Sequence, residues 1–218
     1  MHYIRHLSAD EKLKPVIEAH GVLTIQKRDD VFNALVGSVM SQQLSTRVAR
    51  VFHKRFVDLY GSLPTPQQLL ATPFDRLRGI GLSDAKANYL LNIARFALDT
   101  GLDRKVLHKM EDEEAIRYLT QIKGVGRWTT EMLLMFSLGR EDIFPVGDLG
   151  IQQAMTRIYG IRVRDKKKLK KKLIQIADSW SPYRTYACMY LWQWKDSEQA
   201  EMSSRKIPRS GRRRGRKH

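Results

Sequence analysis

One carboxylate in this chain stands where a side chain could do chemistry. Asp148 follows the turn Pro145-Val146-Gly147 and precedes a segment, Ile151 to Ile158, whose apolar spacing predicts a helix. A fixed carboxylate can stabilise positive charge that develops on a substrate, and it can orient or deprotonate a water molecule. The position is also typical of a helix N-cap, because a short carboxylate accepts hydrogen bonds from the first amides of a helix. Catalysis and capping are both open for Asp148, and neither role excludes the other.

The turn Gly124-Val125-Gly126 lies upstream of Asp148, between two segments with helical apolar spacing. Glycines allow a tight turn and a close approach by another backbone. The helix that follows such a turn leaves unpaired amides and the positive end of its dipole pointing outward, an arrangement that favours phosphate. The pattern predicts a helix-hairpin-helix that holds a nucleic-acid backbone without reading its sequence. On the glycines alone, an ordinary helical hairpin remains the alternative.

The charge of the chain indicates a polyanionic partner. Its net charge is +16 and its pI is near 10.1. Residues 201–218 carry eight Lys/Arg against one Glu, a net of +7, which leaves +9 for residues 1–200. The body is therefore basic without the tail, although basic charge alone does not separate DNA from RNA or from an anionic membrane surface.

Several classes of protein are excluded by composition. Cys188 is the only cysteine, so one chain cannot form a disulfide, a Cys-ligated zinc site or an iron–sulfur cluster. We expect no cofactor and no transition-metal site. We see no signal peptide and no apolar run near the ~20 residues of a membrane span, so we expect a soluble, intracellular protein without membrane contact.

A resemblance to a known family is carried by these motifs. Ile122 to Thr129, followed by a Gly/Pro-rich loop and Asp148, resembles the helix-hairpin-helix (HhH-GPD) DNA glycosylase superfamily. The string G-V-G-R-W-T is similar to the alkylbase (3-methyladenine) DNA glycosylase II branch, and W-S-P-Y-R-T-Y-A is similar to the family's closing motif. The resemblance covers nearly all of residues 30–195.

The apolar spacing contains no strand-period segment, and with the resemblance it predicts an all-α fold of two helical lobes that flank a cleft. We expect no N-terminal β domain. Residues 1–200 are predicted to form the catalytic domain, and residues 201–218 a basic, disordered tail.

The resemblance implies a monofunctional DNA glycosylase of base excision repair. Such an enzyme flips an alkylated purine out of the duplex and hydrolyses its N-glycosidic bond, leaving an abasic site. Asp148 would stabilise the oxocarbenium-like sugar, activate water, or do both. Relatives that also cut the strand carry a lysine where this chain has Trp128, so no lyase activity is expected. Two alternatives stay open: a non-catalytic protein that binds damaged DNA, and a glycosylase with another base preference.

The resemblance also implies roles for individual residues. The base pocket would contain Trp128 and Trp192, whose aromatic rings suit a cationic base, and Met132, which stands where some relatives have an aromatic residue. The duplex wedge would be Gln43 or its neighbour Leu44, although these residues also fit a polar helix end. A monovalent cation could bind at the hairpin carbonyls. The predicted DNA-binding residues are Lys123, Gly124, Val125, Gly126, Arg127 and Thr129.

Local patterns predict where helices begin. We expect helix starts at Asp10, at Asp29-Asp30, at Ser83, at Asp165 and at Ser181-Pro182. The six lysines within 166–172 are expected to form a solvated face that attracts phosphates. The predicted partner is double-stranded DNA with alkylated bases, bound by a monomer in the cytoplasm of a prokaryote or the nucleus of a eukaryote.

Overall fold

The computed structural model describes residues 1–26, 30–44 and 46–205. Within these residues every regular element is a helix, which confirms the all-α prediction. The chain divides into two compact units. The central unit comprises Thr24–Gly147 and Ser181–Thr185, and the terminal unit comprises Met1–Leu23, Asp148–Trp180 and the chain from Tyr186. None of the described helices is long and apolar enough to cross a bilayer.

The central unit is built around one buried helix. Its helices are α3 (Val31–Ser41), α4 (Thr46–Tyr60), α5 (Pro66–Leu70), α6 (Phe74–Gly79), α7 (Asp84–Asp99), α8 (Arg104–Lys109), α9 (Asp112–Leu119) and α10 (Arg127–Phe136). Helix α3 packs against α4, α7 and α10. Its apolar spacing places Leu35, Val36 and Val39 on a face that is at most 1% exposed. Helix α3 therefore supports both the turn that follows it and the hairpin that leads into α10.

The terminal unit contains α1 (His2–Leu7), α2 (Lys14–His20), α11 (Leu149–Ile158), α12 (Lys166–Ala177), a 3₁₀ turn (Asp178–Trp180) and most of α13 (Arg184–Arg205). A polar cluster links its segments. The Tyr159 hydroxyl (2.6 Å) and the Trp180 indole (2.9 Å) both donate to Asp10 Oδ2. Burial raises the pKa of Asp10, but these hydrogen bonds more than offset it, so its pKa lies below the ordinary value.

Most predicted helix starts are confirmed by their caps. Asp30, Ser83 and Asp165 each accept a hydrogen bond from the backbone amide three residues on. Asp29 lies outside the described residues. Asp10 does not open a helix over the following residues, because its carboxylate accepts from Lys12 and Leu13 and closes a turn before α2.

The predicted cap at Ser181 is wrong. Helix α13 begins at Arg184, and the Ser181 hydroxyl instead donates to Asp142 Oδ2 at 2.7 Å. The helix then continues to Arg205, so the predicted tail boundary at residue 201 lies within a helix. Residues 206–218 of the predicted tail lie outside the described residues.

Helix α4 has apolar residues at helical spacing, Val48, Val51 and Phe56, but only part of this face is buried. Phe56 is 1% exposed, whereas Val48 and Val51 are 39% and 44% exposed. Their spacing was compatible with a buried face, but only the tertiary packing decides which part of a helix has neighbours.

Candidate functional site

Asp148 is held by two donors within the terminal unit. Its Oδ1 accepts from the Ile151 amide at 2.8 Å, which confirms the N-cap of α11. The same oxygen accepts from the indole Nε1 of Trp192, on α13, at 3.1 Å. A half-buried carboxylate with two fixed donors at the positive end of a helix is oriented before any substrate arrives. Capping is therefore shown, and the carboxylate is also held as a catalytic group would need.

Gly150 makes room for this pair. A Cβ on Gly150 would lie 3.0 Å from Asp148 Oδ1 and 3.3 Å from Trp192 Cδ1. It would also lie 3.4 Å from Lys195 Nζ, which places an ammonium group beside the carboxylate and the indole. Neither Gly150 nor Lys195 is among the site residues predicted from the sequence. Gly150 had a weak signal, as the fifth residue of V-G-D-L-G and two residues after Asp148, whereas Lys195 had none.

The hairpin of the central unit joins α9 to α10. Gly124 has φ +106°, and a Cβ there would lie 2.2 Å from Cγ of Tyr89, so both the backbone and the packing require glycine. The Val125 amide is used inside the turn, donating to Ile122 O at 2.9 Å. Among the described residues, the Gly124 and Gly126 amides have no acceptor, and no side chain caps the start of α10. This end of α10 can therefore receive an anion such as a backbone phosphate.

The two predicted cations of the hairpin differ in their surroundings. Lys123 is exposed and has no salt bridge within the described residues. Arg127 pairs with Glu113 and donates from Nε to Glu131 at 3.0 Å. These contacts raise the pKa of Arg127 and lower that of Glu113. Most of the Arg127 charge is therefore balanced within the protein, which leaves Lys123 as the better placed cation for phosphate.

Gln42, which is not among the predicted site residues, connects the hairpin to the turn after α3. Gln42 Nε2 donates to Gly124 O at 3.3 Å and to Thr129 Oγ1 at 3.0 Å. Thr129 is only 2% exposed, so its hydroxyl makes an internal contact. The next residue, Gln43, is exposed and adopts φ +59°, and Leu44 is half-buried.

An open cavity of about 630 Å³ lies along the hairpin. Trp128, 39% exposed, and Gln43 both line it. The predicted wedge residue and one predicted pocket aromatic therefore share a cavity. Its other lining residues are Gln42, Tyr89, Gly124, Val125, Gly126 and Thr129.

Met132 does not line that cavity, although it lies one turn after Trp128. It lines a second cavity of about 290 Å³, which lies between α3, α4 and α10. The His53 ring enters there over Gly37, whose Cβ would be only 2.7 Å from His53 Cε1. The other lining residues are Ala34, Ser38, Ser41, Leu133, Phe136 and Ser137. Trp192, the third predicted pocket residue, belongs to the terminal unit and contacts Asp148 there.

No group of three or more His, Cys, Asp or Glu in the described part of the chain could hold a metal ion. Three hairpin carbonyls already accept hydrogen bonds. Ile122 O accepts from Val125, Lys123 O from Asn92 at 3.1 Å, and Gly124 O from Gln42. A carbonyl has a second lone pair, so the predicted monovalent cation stays a prediction.

These features define a helix-hairpin-helix protein with a fixed carboxylate downstream of the hairpin. A profile of the HhH-GPD superfamily of base excision DNA repair proteins matches residues 36–178, and the chain belongs to that superfamily. It is 34% identical over 197 residues to DNA-3-methyladenine glycosylase 1 of Schizosaccharomyces pombe, covering 86% of this chain and 84% of the relative.

Two solved structures are similar. One is the S. pombe 3-methyladenine DNA glycosylase in complex with abasic DNA, with a TM-score of 0.80 and 31% identity over 88% of this chain and 96% of the other. The second is a DNA-3-methyladenine glycosidase from Bacillus halodurans, with a TM-score of 0.78 and 36% identity over 92% of both chains.

Proposed function

We propose that this protein is a monofunctional DNA glycosylase that removes alkylated purines from double-stranded DNA and leaves an abasic site. The observation that carries the proposal is Asp148, which the Ile151 amide and the Trp192 indole hold in a fixed orientation. The relatives' names supply the substrate class, since they are called 3-methyladenine DNA glycosylases.

The reaction breaks the bond between C1′ of the sugar and the ring nitrogen of the base. Alkylation of a purine ring nitrogen makes the base cationic, so the bonding electron pair leaves with the base and neutralises it. Positive charge then develops on the sugar, and a carboxylate facing it lowers the barrier. The oxygen of a water molecule bonds to C1′ and its proton passes to Asp148 or to solvent. Asp148 thus stabilises charge, activates water, or does both.

The hairpin supplies a grip that does not depend on sequence. The Gly124 and Gly126 amides, which have no acceptor in the described part of the chain, and the start of α10 would bind one phosphate, with Lys123 as its cationic neighbour. Such contacts make affinity fall with salt, with a slope of about −0.9 for each neutralised phosphate.

The reactive base must leave the stack before it can be reached. Gln43 is exposed beside the hairpin and would fill the space in the duplex, with Leu44 as its neighbour. Trp128 has an exposed ring that can stack on a base, and an electron-rich ring favours a cationic one. Trp192 is assigned to orienting Asp148, and Met132 is retained as a pocket residue on the family resemblance.

The absence of a lysine at position 128 supports hydrolysis without strand cleavage. One chain carries both the hairpin and the carboxylate, so we propose that it acts as a monomer. Its place of action would be the cytoplasm of a prokaryote, in association with the nucleoid, or the nucleus of a eukaryote.

The test is base release from methylated duplex DNA by the wild type and by Asp148→Asn, with products identified by chromatography. We expect methylated purines from the wild type and a loss of at least about a hundredfold in the variant, with abasic-site DNA bound by both. Equal release by both proteins would exclude the role of Asp148. Binding of abasic DNA without release by either protein would support the damage-binding alternative, and release of other bases only would indicate another base preference.

A further inference from the structure

Lys86 makes contacts that the proposed reaction does not explain. It lies in the first turn of α7, and its Nζ donates to Met40 O and to Gln42 O, both at 2.8 Å. The first carbonyl belongs to the last turn of α3, and the second belongs to the turn that follows. Within the described residues, Lys86 forms no salt bridge with a carboxylate.

Two features indicate that the Lys86 ammonium group stabilises the turn after α3. The last carbonyls of a helix lack partners and carry the negative end of the helix dipole, so an ammonium group stabilises them. Lys86 is also half-buried, and burial lowers its pKa, which means that the charge has lost part of its water. A lysine that served phosphate would be expected to remain solvated, as Lys123 is.

Gln42 extends this contact to the hairpin. Its carbonyl accepts from Lys86, while its side chain donates to Gly124 O and Thr129 Oγ1. The residue therefore connects α7, the turn after α3 and the helix-hairpin-helix, all within the central unit. Gln43 comes directly after it, in a left-handed conformation with φ +59° that a non-glycine residue adopts only at a cost.

We propose that Lys86 and Gln42 are positioning residues that hold Gln43 at a fixed place relative to the phosphate-binding hairpin, so that backbone binding and insertion of Gln43 occur as one step. This inference rests on the function proposed above. Without the Lys86 contacts, the turn is free to relax toward ordinary backbone angles, and Gln43 no longer projects beside the hairpin. The hairpin itself keeps its glycine conformation and its amides, so phosphate binding survives.

The test compares Lys86→Met, Lys86→Arg and Lys123→Gln with the wild type, and a fourth variant is held in reserve. Lys86→Met keeps an unbranched side chain, one heavy atom shorter, and removes all donors, and Lys86→Arg keeps a cation that can donate to both carbonyls. Lys123→Gln removes the exposed cation of the hairpin as the matched control. Melting temperature and circular dichroism establish that each variant is folded. If Lys86→Met does not fold, Gln42→Leu provides a second way to break the contact between the turn and the hairpin.

Three quantities are measured. Amide exchange over residues 40–44 is followed in the DNA-free protein, base release in single turnovers, and affinity for abasic-site DNA across a salt series. We expect Lys86→Met to speed exchange and to slow base release about tenfold, with the salt slope unchanged. Lys86→Arg should show the amide exchange and the base release of the wild type. Lys123→Gln should leave exchange unchanged and reduce the salt slope by about 0.9.

Two results would overturn the proposal. If Lys86→Met reduces the salt slope as Lys123→Gln does, Lys86 is a phosphate ligand. If amide exchange and base release in Lys86→Met equal those of the wild type, the Lys86 contacts do not position the turn. Failure of the proposed function looks different, because the wild type itself would then release no alkylated base, while exchange over residues 40–44 would still report on the Lys86 contacts.

Discussion

Asp148 and Trp192 form the smallest unit on which the proposed chemistry depends. Both hydrogen bonds of the carboxylate described above end on Oδ1, one from the backbone and one from the indole. Donors that are fixed before the reaction need no reorganisation when charge develops, and this is why such groups contribute strongly to catalysis. On the proposed function, the Trp192 indole would therefore orient Asp148 in addition to contributing an aromatic ring.

Replacing Trp192 with Phe keeps an aromatic ring and removes the donor. We expect the single-turnover rate of base release to fall about tenfold, the size of one hydrogen bond to a charged group, while affinity for abasic-site DNA changes little. Trp194→Phe is the matched control, because Trp194 is a half-buried neighbour on the same helix whose indole makes no hydrogen bond within the described residues. Equal rates for both variants would show that the indole of Trp192 does not orient Asp148.

At the scale of elements, the hairpin depends on two glycines that do different work. Gly124 is required by its positive φ and by the Tyr89 ring, whereas Gly126 has φ −97° and open space where a Cβ would lie. The sequence predicted the hairpin from the pair, but only packing separates their roles.

Gly124→Ala is therefore expected to lower the free energy of unfolding by about 1–3 kcal/mol, since the backbone is strained and Tyr89 must move. Gly126→Ala should stay within about 0.5 kcal/mol of the wild type. Urea unfolding followed by circular dichroism measures both. A similar loss in the two variants would contradict the assignment of the turn conformation to Gly124.

At the scale of the whole molecule, charge and long-range pairing both matter. Six lysines within 166–172 lie on α12, all exposed and without salt bridges in the described part of the chain.

Asp142 and Arg184 form a contact between residues that are distant in sequence. Asp142 accepts hydrogen bonds from the backbone amide and the side chain of Arg184, with Oδ1 to Nε at 2.8 Å and Oδ2 to Nη2 at 2.9 Å. These contacts bring residues 181–185 into the central unit.

Replacing the six lysines of α12 with Gln should weaken binding to undamaged duplex DNA, and more at about 50 mM salt than at about 200 mM. The fold should persist, because Leu173 and Ala177, the buried residues of α12, are unchanged. Fluorescence anisotropy over the salt series measures the effect. Identical affinities at every salt concentration would show that this face is only solvated.

The Asp142 contacts predict a dependence of stability on pH. Burial raises the pKa of Asp142, but hydrogen bonds from Arg184 and Ser181 outweigh it, so the folded pKa lies below the unfolded value of about 3.9. The stabilisation is therefore present above about pH 4 and is lost as pH falls through the lower folded pKa. Asp142→Asn should cost about 1–3 kcal/mol at pH 7, and its melting temperature should approach that of the wild type in acid. A difference that does not shrink below about pH 4 would contradict the prediction.

The sequence by itself determined the helical fold, the hairpin, the basic character and the position of Asp148, because periodicity, glycine pairs and caps are local signals. It also determined the family resemblance. The tertiary structure decided which faces have neighbours and which donors meet which acceptors. Val48 and Val51 are exposed, and the Ser181 hydroxyl donates to Asp142 instead of capping a helix. Trp192 donates to Asp148, which lies 44 residues earlier in the sequence. Contacts between distant segments leave no periodic trace in either segment, and therefore the contacts of Lys86, Gln42 and the Trp192 indole emerged only from the folded chain.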